Sequence, residues 1–307
     1  MPGLIRTNID TSTNKDFFKN LLRKMFDNTA KAAIQEFENV TKHFHTSDEY
    51  EREYRIAGLG LAAKVNEGAN IPVQTPKADA PKDWTQVAYG TAFRITERMM
   101  KFEKYGLMER YTKSLAKVMK ETKDIEIARM FNNATATTYA SGYDGLALAH
   151  DSHTCLDDSA TTYDNYGDNA LGVSTLQSAL YYFDTLYNDQ GQLLIANPTK
   201  LVVNPQLRIT ANQLLRSTGV AFEESNTINV YPDWDLKIFV YHRLTSSTSW
   251  FLLADKDDDY DYKVFTTKEP TMGSKDAPDT TLDKIVYSNQ YFVYGFGDPR
   301  LCYCGDT

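Results

Sequence analysis

Residues 64–95 carry the most informative alternation of apolar and polar positions in this chain. Toward the end of that stretch, every second side chain is apolar or threonine and its neighbours are smaller or more polar. This is the period of a half-buried β-strand. The alternating set consists of Val87, Tyr89, Thr91, Phe93 and Ile95. The pattern therefore predicts a strand with one face packed on other protein.

The part of this stretch that precedes the strand contains Pro72, Pro76 and Pro81 within polar sequence. We interpret residues 64–95 as two extended strands joined by a polar tip that holds these prolines. A lone two-stranded ribbon is marginally stable in water, so its apolar face must pack elsewhere. Three options stay open at this point: packing on the chain's own body, a lid over an active site, or an arm that lies on a neighbouring copy.

Helical periodicity appears twice in the first half of the chain. Residues 15–45 carry apolar side chains at three- and four-residue steps, and so do residues 107–133. The second helix would be roughly 40 Å long at 1.5 Å per residue.

The second half of the chain alternates helical and strand patterns. We predict helices at 173–186 and 206–217, with Pro205 opening the latter. We predict strands at 200–204, 227–230, 237–242, 249–254, 262–267, 282–294 and 299–304, and a loop at 269–279.

Composition and charge narrow the functional classes. The chain of 307 residues has a net charge of -8, and tight nucleic-acid binding depends on Lys and Arg neutralising phosphates. The sequence has no long apolar run and no basic segment followed by an apolar one, so we expect neither a membrane span nor a secretory signal. Cys155, Cys302 and Cys304 are an odd number in a long chain, which favours reduced thiols.

Candidate chemistry is sparse. His150, Asp151, His153 and Cys155 form one cluster of metal-ligand types, but their spacing fits no common zinc pattern. We interpret them as a polar loop in which Asp and His cap turns. No nucleotide-binding or hydrolase motif is present.

Two further groups have structural interpretations. Cys302 and Cys304 share one face of a strand, so we expect small core side chains. The acidic residues of 255–261 begin like an EF-hand loop, but Tyr260 replaces its turn glycine. We predict a solvated acidic turn there.

Four motifs, in order, resemble segments of one family. They are Phe131-Asn132-Asn133 followed by residues 143–150, Leu201-Val202-Val203-Asn204-Pro205, Trp250-Phe251-Leu252-Leu253-Ala254-Asp255, and residues 294–301. Together with the order of predicted elements from residue 15 to the end, they resemble the major capsid proteins of tailed bacteriophages, which have the Hong Kong phage fold. The individual motifs are similar to those of Mu-like major head subunits.

The resemblance implies an α+β fold and a division of the chain. It implies an N-terminal arm and helix at 1–60, an extended two-stranded loop at 61–96, and a peripheral domain with a long spine helix at 97–168. An axial α/β domain would follow at 169–255, and closing strands, mainly of the peripheral domain, at 256–307.

The resemblance also implies a structural function without catalysis or cofactor. The chain would assemble into hexamers and pentamers of an icosahedral shell around double-stranded DNA, without sequence-specific DNA contact and without a membrane. Its partners would be further copies of itself and a portal. The stretch before the loop is too short for a built-in scaffold, so we expect a separate scaffold protein or none. We expect assembly in the bacterial host cytoplasm and a final location in the virion.

For the intersubunit interface we predict side chains from the loop, its returning strand and the N-terminal helix. They are Ile71, Val73, Trp84, Val87, Tyr89, Phe93, Phe17, Phe18 and Phe26. The acidic turn at 255–261 would lie near the capsomer axis. The rival hypothesis is a soluble metal-dependent enzyme with a site near His150 and His153, under a lid formed by residues 64–95.

Overall fold

The computed structural model describes residues 13–79, 81–102, 106–156, 162–217, 219, 229–255, 261–277 and 283–306. For residues 13–19 and 101 the description covers the backbone only. Among these residues the helices are α1 (Thr13–Ala32), α2 (Glu97–Phe102), α3 (Leu107–Asn132), α4 (Val173–Asp184) and α5 (Arg208–Arg216).

The strands of the described residues run in chain order as follows: β1 (Lys42–His45), β2 (Tyr50–Glu53), β3 (Lys82–Thr85), β4 (Val87–Ile95), β5 (His153–Thr154), β6 (Thr162–Tyr163), β7 (Tyr166–Asp168), β8 (Pro198–Val203), β9 (Lys237–Val240), β10 (Trp250–Ala254), β11 (Tyr262–Asp276), β12 (Lys284–Phe296) and β13 (Cys302–Asp306). Short 3-10 helices lie at Glu36–Asn39, Pro205–Leu207 and Tyr231–Trp234. The fold is α+β.

The chain divides into two compact units. The first comprises Met1–Gln35, Val87–Lys123 and Thr267–Phe292, and the second comprises Glu36–Gln86, Asp124–Thr266 and Val293–Thr307. Each unit has its own apolar core.

The first unit is built around the strand pair β4–β12. β4 lies antiparallel to β12 from Val87, opposite Phe292, to Ile95, opposite Lys284. β11 borders β12 on its other side. The apolar stripes of α1 and α3 share a core with strand residues, as their helical spacing predicts. That core consists of Leu22, Phe26, Ala30, Ile95, Met108, Leu115, Ala116, Met272 and Val286.

The second unit contains a five-stranded sheet in the order β7-β13-β10-β8-β9. Its central strand β10 pairs antiparallel with both neighbours, and all five of its residues are buried. A strand that is covered on both faces has apolar side chains at consecutive positions. This explains why β10 has the continuous apolar sequence Trp250-Phe251-Leu252-Leu253-Ala254. At the end of β8, Asn204 Oδ1 accepts the Gln206 N–H at 2.8 Å and caps the turn that Pro205 begins.

Several sequence predictions are confirmed. The helix expected at 107–133 is α3, and the strand expected at 249–254 is β10. Cys302 and Cys304 lie in β13 with their side chains in the core of the second unit. Burial raises the pKa of the Cys302 thiol to about 12, so both residues act as packing groups.

Three predictions need correction. The helix predicted at 15–45 ends at Ala32, because Phe37 N binds Asp124 Oδ1 at 3.0 Å and residues 42–45 pair with β11. The loop predicted at 269–279 is mostly strand, since β11 continues to Asp276. Pro270 fits there because β1 pairs with β11 only as far as Thr266, so no described strand needs its missing N–H on that side.

The third correction concerns the strand predicted at 227–230. Residues 227 and 228 lie outside the described part of the chain, and a 3-10 helix begins at Tyr231. None of the described helices is long and apolar enough to cross a membrane.

Close packing at Gly305 gives a stability prediction. A Cβ at this position would lie 2.2 Å from the indole ring of Trp250 in the core of the second unit. We expect Gly305→Ala to lower the free energy of unfolding by about 1–3 kcal/mol, as overpacking does. The measurement is urea unfolding of the unassembled subunit followed by tryptophan fluorescence, since Trp84, Trp234 and Trp250 all belong to the second unit.

The matched control for that variant is Gly58→Ala. A Cβ at Gly58 would meet nothing within 4 Å, so its unfolding curve should overlay that of the unchanged chain. If Gly305→Ala and Gly58→Ala had the same free energy of unfolding, the close approach of Trp250 to Gly305 would be contradicted.

Candidate functional site: the exposed loop and its anchors

The described residues between β2 and β3, 54–79 and 81, are here called the exposed loop, and they form one long hairpin. β2 and β3 pair antiparallel at its base, and Ile56 bridges Ala78 farther along. Gln74 Nε2 donates to the Leu61 carbonyl at 3.1 Å. The Ile56–Ala78 bridge is offset by one residue from the register of β2 and β3, and beyond it the two arms continue side by side toward the tip.

The tip is a β-turn at residues 66–69. Ala69 N donates to the Asn66 carbonyl at 3.0 Å, and Gly68 has a φ of 78°. A glycine with positive φ in the third position is what a type II turn requires.

This arrangement corrects the predicted hairpin. The outgoing arm starts at β2 and not at residue 64, and the tip precedes the prolines. Pro72, Pro76 and Pro81 lie on the returning arm, where their missing N–H groups prevent a continuous ladder. The strand predicted at 87–95 exists as β4, but its partner is β12.

The outer part of the loop presents apolar side chains to solvent. Every residue from 61 to 78 is exposed. Ile71 is 78% exposed and Val73 is 94% exposed. The other exposed apolar side chains of the loop are Tyr54, Ile56, Leu59, Leu61 and Val65. This concentration of exposed apolar side chains on one loop is the kind of surface that marks an interaction site.

The returning arm is fixed to the second unit through β3. Trp84 is buried against Phe265, with 5.7 Å between ring centroids. Gly295 makes room for the indole, because a Cβ there would lie 2.6 Å from it. Lys82 Nζ lies 4.3 Å from the Trp84 ring centroid and donates to the Phe296 carbonyl at 2.6 Å. Burial lowers the pKa of Lys82 to about 8.

A buried charge network fixes the outgoing arm. Arg55 Nη2 lies 2.5 Å from Asp189 Oδ1, and Arg300 Nη2 lies 2.7 Å from the same oxygen. Asp298 completes the network at 3.6 Å from Arg55 and 3.5 Å from Arg300. Burial alone would raise the pKa of Asp189, but the two guanidinium groups hold it below its ordinary value.

Hydrogen bonds from the surrounding chain orient three of these four side chains. Tyr163 Oη donates to Asp298 Oδ1 at 3.0 Å, and the Leu156 N–H donates to Asp189 Oδ1 at 3.2 Å. Arg55 Nη2 also donates to the Thr154 carbonyl at 3.2 Å. Two positive and two negative groups thus balance one another where the loop begins.

The side chains predicted for an interface divide into exposed and buried sets. Ile71 and Val73 lie on the outer part of the loop, and Val87 is exposed on β4. Trp84 is buried by its own chain, so the expectation that it is available to a neighbour does not fit its position.

In the first unit, the predicted side chains pack on their own chain to different degrees. Phe26 is fully buried in the core. Tyr89 stacks on Phe292 with 4.6 Å between centroids, and Phe93 lies 5.7 Å from the Tyr111 ring. Phe17 and Phe18 belong to α1, but their side chains lie outside the description.

Sequence reasoning missed both the charge network and the outgoing arm. The sequence does contain a sign of the outgoing arm, because Tyr54 and Ile56 alternate with Arg55 and Ala57 as in an extended strand. Ile56 is 63% exposed while Arg55 is 8% exposed, the reverse of the ordinary preference.

The predicted metal-type cluster is a packed structural region. His153 is buried, with its Nδ1 atom 2.6 Å from Asp144 Oδ2 and its ring stacked on Tyr163. Cys155 is buried too, and burial raises its pKa. Among the described residues, no group of three or more His, Cys, Asp or Glu side chains could hold a metal ion.

The predicted acidic turn is only partly described. Residues 256–260 lie outside the described part of the chain. Asp261 has its side chain directed toward neighbours: Lys263 Nζ lies 2.5 Å from Oδ1, and Asp298 N donates to Oδ2 at 2.9 Å.

Comparison with protein families gives one match. The model of the family described as "Phage capsid protein" matches residues 79–304, which is more than half of the chain. No curated protein matches the sequence.

Solved structures with a similar fold include two phage capsids and one virus-like particle. The capsid of cyanophage P-SCSP1u has a TM-score of 0.60 at 10% identity, over 89% of each chain. The procapsid of bacteriophage JBD30 has a TM-score of 0.55 at 10% identity, over 97% of this chain and 76% of that one. The virus-like particle from Pyrococcus furiosus gives 0.53 at 10% identity, over 94% and 99%. At this identity the likeness concerns the fold alone.

The charge network yields a mutational prediction. Asp189→Asn keeps the size of the side chain but leaves two buried guanidinium groups with one carboxylate fewer. We expect a loss of about 3 kcal/mol in the unfolding free energy of the second unit, measured by tryptophan fluorescence in urea. Asp83→Asn is the control, because Asp83 contacts Arg52 at 2.6 Å in an exposed pair that should contribute little. Similar losses in both variants would argue against the network as an anchor.

The lowered pKa of Asp189 also predicts a pH dependence. Its contribution to stability is complete well above the ordinary carboxyl pKa near 4 and is lost as the pH falls through the lower folded-state pKa. The difference in unfolding free energy between the unchanged chain and Asp189→Asn should therefore be constant at neutral pH and shrink below about pH 4. A difference that stays constant down to pH 2 would exclude this origin.

Proposed function

The chain belongs to the phage capsid protein family, and from that premise we propose that it forms the hexamers and pentamers of an icosahedral shell around double-stranded DNA. As a member of this family it is a structural protein of the virion and not an enzyme. The shell would be held by contacts among copies of this chain.

One observation carries the proposal: the exposed loop offers apolar side chains to solvent while its base is held by buried groups. Burying Ile71 and Val73 on a neighbour would contribute about 1.5–3 kcal/mol each. Ordering of the outer loop reduces that gain. Because each copy repeats the contact, modest energies per subunit become large over a closed shell.

We assign different roles to the predicted interface residues. Ile71, Val73 and Val87 would touch a neighbouring copy, and Phe17 and Phe18 would contact a second one. Tyr89 and Phe93 would support Val87 on β4 from within the first unit.

For the whole chain, we propose the domain division expected from the resemblance. Residues 97–168 and 256–307 would form the peripheral domain and residues 169–255 the axial domain, with the acidic turn at 255–261 near the capsomer axis. The ordered motifs in residues 131–150 and 294–301 favour the Mu-like subtype.

Further partners follow from the same proposal. A portal and a separate scaffold protein would act during assembly in the bacterial cytoplasm. The net charge of -8 is consistent with a shell that binds the enclosed DNA only weakly.

The test is assembly of the purified chain, followed by light scattering and electron microscopy. We expect shells or capsomers from the unchanged chain. Val73→Asp, which places a charge on the most exposed apolar side chain of the loop, should raise the critical subunit concentration for assembly roughly tenfold or more.

Ile209→Asp serves as the control, because Ile209 is an exposed apolar residue of α5 and does not belong to the loop. A second variant lacks residues 62–73 and joins Leu61 to Gln74, which are already neighbours. It should fold as the unchanged subunit does and fail to assemble. Normal shells from this deletion would overturn the role of the loop.

A further inference from the structure

A groove lined by aromatic rings lies on the second unit, and none of its described lining residues belongs to the exposed loop. It has a volume of about 360 Å³ and is bordered by α4, β6, β7 and β13. Its aromatic lining consists of Tyr163, Tyr166, Tyr181, Tyr182, Tyr187 and Tyr303. Such a density of tyrosine is typical of interfaces, where a rigid ring gives large contact area at little entropic cost.

Two of these rings are fixed by their hydroxyl groups. Tyr163 Oη donates to Asp298, and Tyr182 Oη donates to the Arg300 carbonyl at 2.7 Å. Tyr181, by contrast, is 67% exposed on α4. The groove thus combines preorganised walls with an open aromatic rim.

The surroundings extend the apolar character of this groove. Leu193 bridges Tyr187 through the backbone, and its side chain is exposed, as is that of Ile195. Asp164 supplies the only charge among the described lining residues. An occupant should therefore be extended and apolar, with a positive group at one end.

The exposed loop carries a segment with these properties. Residues 71–77 read Ile-Pro-Val-Gln-Thr-Pro-Lys, and no acidic residue occurs from 69 to 78. Proline-containing extended segments dock in aromatic grooves because their backbone is already ordered before binding. Lys77 can face Asp164 across such a contact.

We propose that the tyrosine groove of one subunit binds residues 71–77 of a second copy, with Pro72 and Pro76 against the rings and Lys77 toward Asp164. This rests on the assembly described under the proposed function, since it requires a neighbouring subunit. Within a single chain the segment is open to solvent, with Ile71 and Val73 both exposed.

A disulfide between two differently mutated chains tests the contact. One chain carries Val73→Cys and the other Tyr181→Cys, and the two are assembled together under mild oxidation. The native Cys155, Cys302 and Cys304 are buried and should not react. We expect a covalent dimer that contains one of each chain, and no such product when Ile209→Cys replaces Tyr181→Cys.

Other outcomes have definite meanings. Shells that form without the mixed dimer would overturn the groove as the binding site, while leaving the capsid function intact. A chain with both substitutions that closes an internal disulfide would show that the segment occupies its own groove, which also overturns the proposal. Failure of the unchanged chain to assemble would count against the proposed function itself.

A charge exchange tests the same contact without cysteines. Lys77→Glu and Asp164→Lys should each raise the critical concentration for assembly about three- to fivefold, as loss of an exposed ion pair does. The chain with both substitutions should return close to the unchanged value. The pairing of Lys77 with Asp164 would be contradicted if the double variant had a critical concentration as high as that of either single variant, or higher.

Discussion

The buried network of Arg55, Arg300, Asp189 and Asp298 is the constraint on which the rest of the exposed loop depends. Two cations and two anions leave water together, so their mutual attraction largely offsets their desolvation and adds little net stability. Its effect is on geometry, because any other direction of the outgoing arm would leave a buried charge without its partner. With Trp84 holding the returning arm, the base is fixed on both sides, and the outer residues are free to serve a neighbour.

Elements with local determinants could be predicted from the sequence, and those defined by distant partners could not. The long helix α3 and the central strand β10 follow from periodicity and from a continuous apolar run within their own residues. The alternation in 87–95 correctly indicated a strand, but nothing local identifies β12 as its partner. The prolines predict the tip of the loop at the wrong place, because the turn is made by Gly68 with its positive φ and the prolines follow it.

The exposed surface was predicted in part for a related reason. Side chains that are all strongly hydrophobic differ in their exposure to solvent. Phe26 and Trp84 are buried, while Ile71 and Val73 face solvent. Periodicity defines a face but does not say what covers it. At residues 54–57 the alternation is visible in the sequence, but only the structure shows that Arg55 lies inside and Ile56 outside, which leaves apolar surface for another molecule.

The three prolines of the returning arm have a consequence for the time before a subunit finds its neighbours. A free subunit displays a long apolar ribbon whose edges could recruit identical ribbons into a growing cross-β stack. Pro72, Pro76 and Pro81 have no backbone N–H to donate, so a stacked strand cannot form a continuous set of hydrogen bonds with this arm. The same residues that break the hairpin's regularity thereby protect a crowded pool of newly made chains from fibril formation.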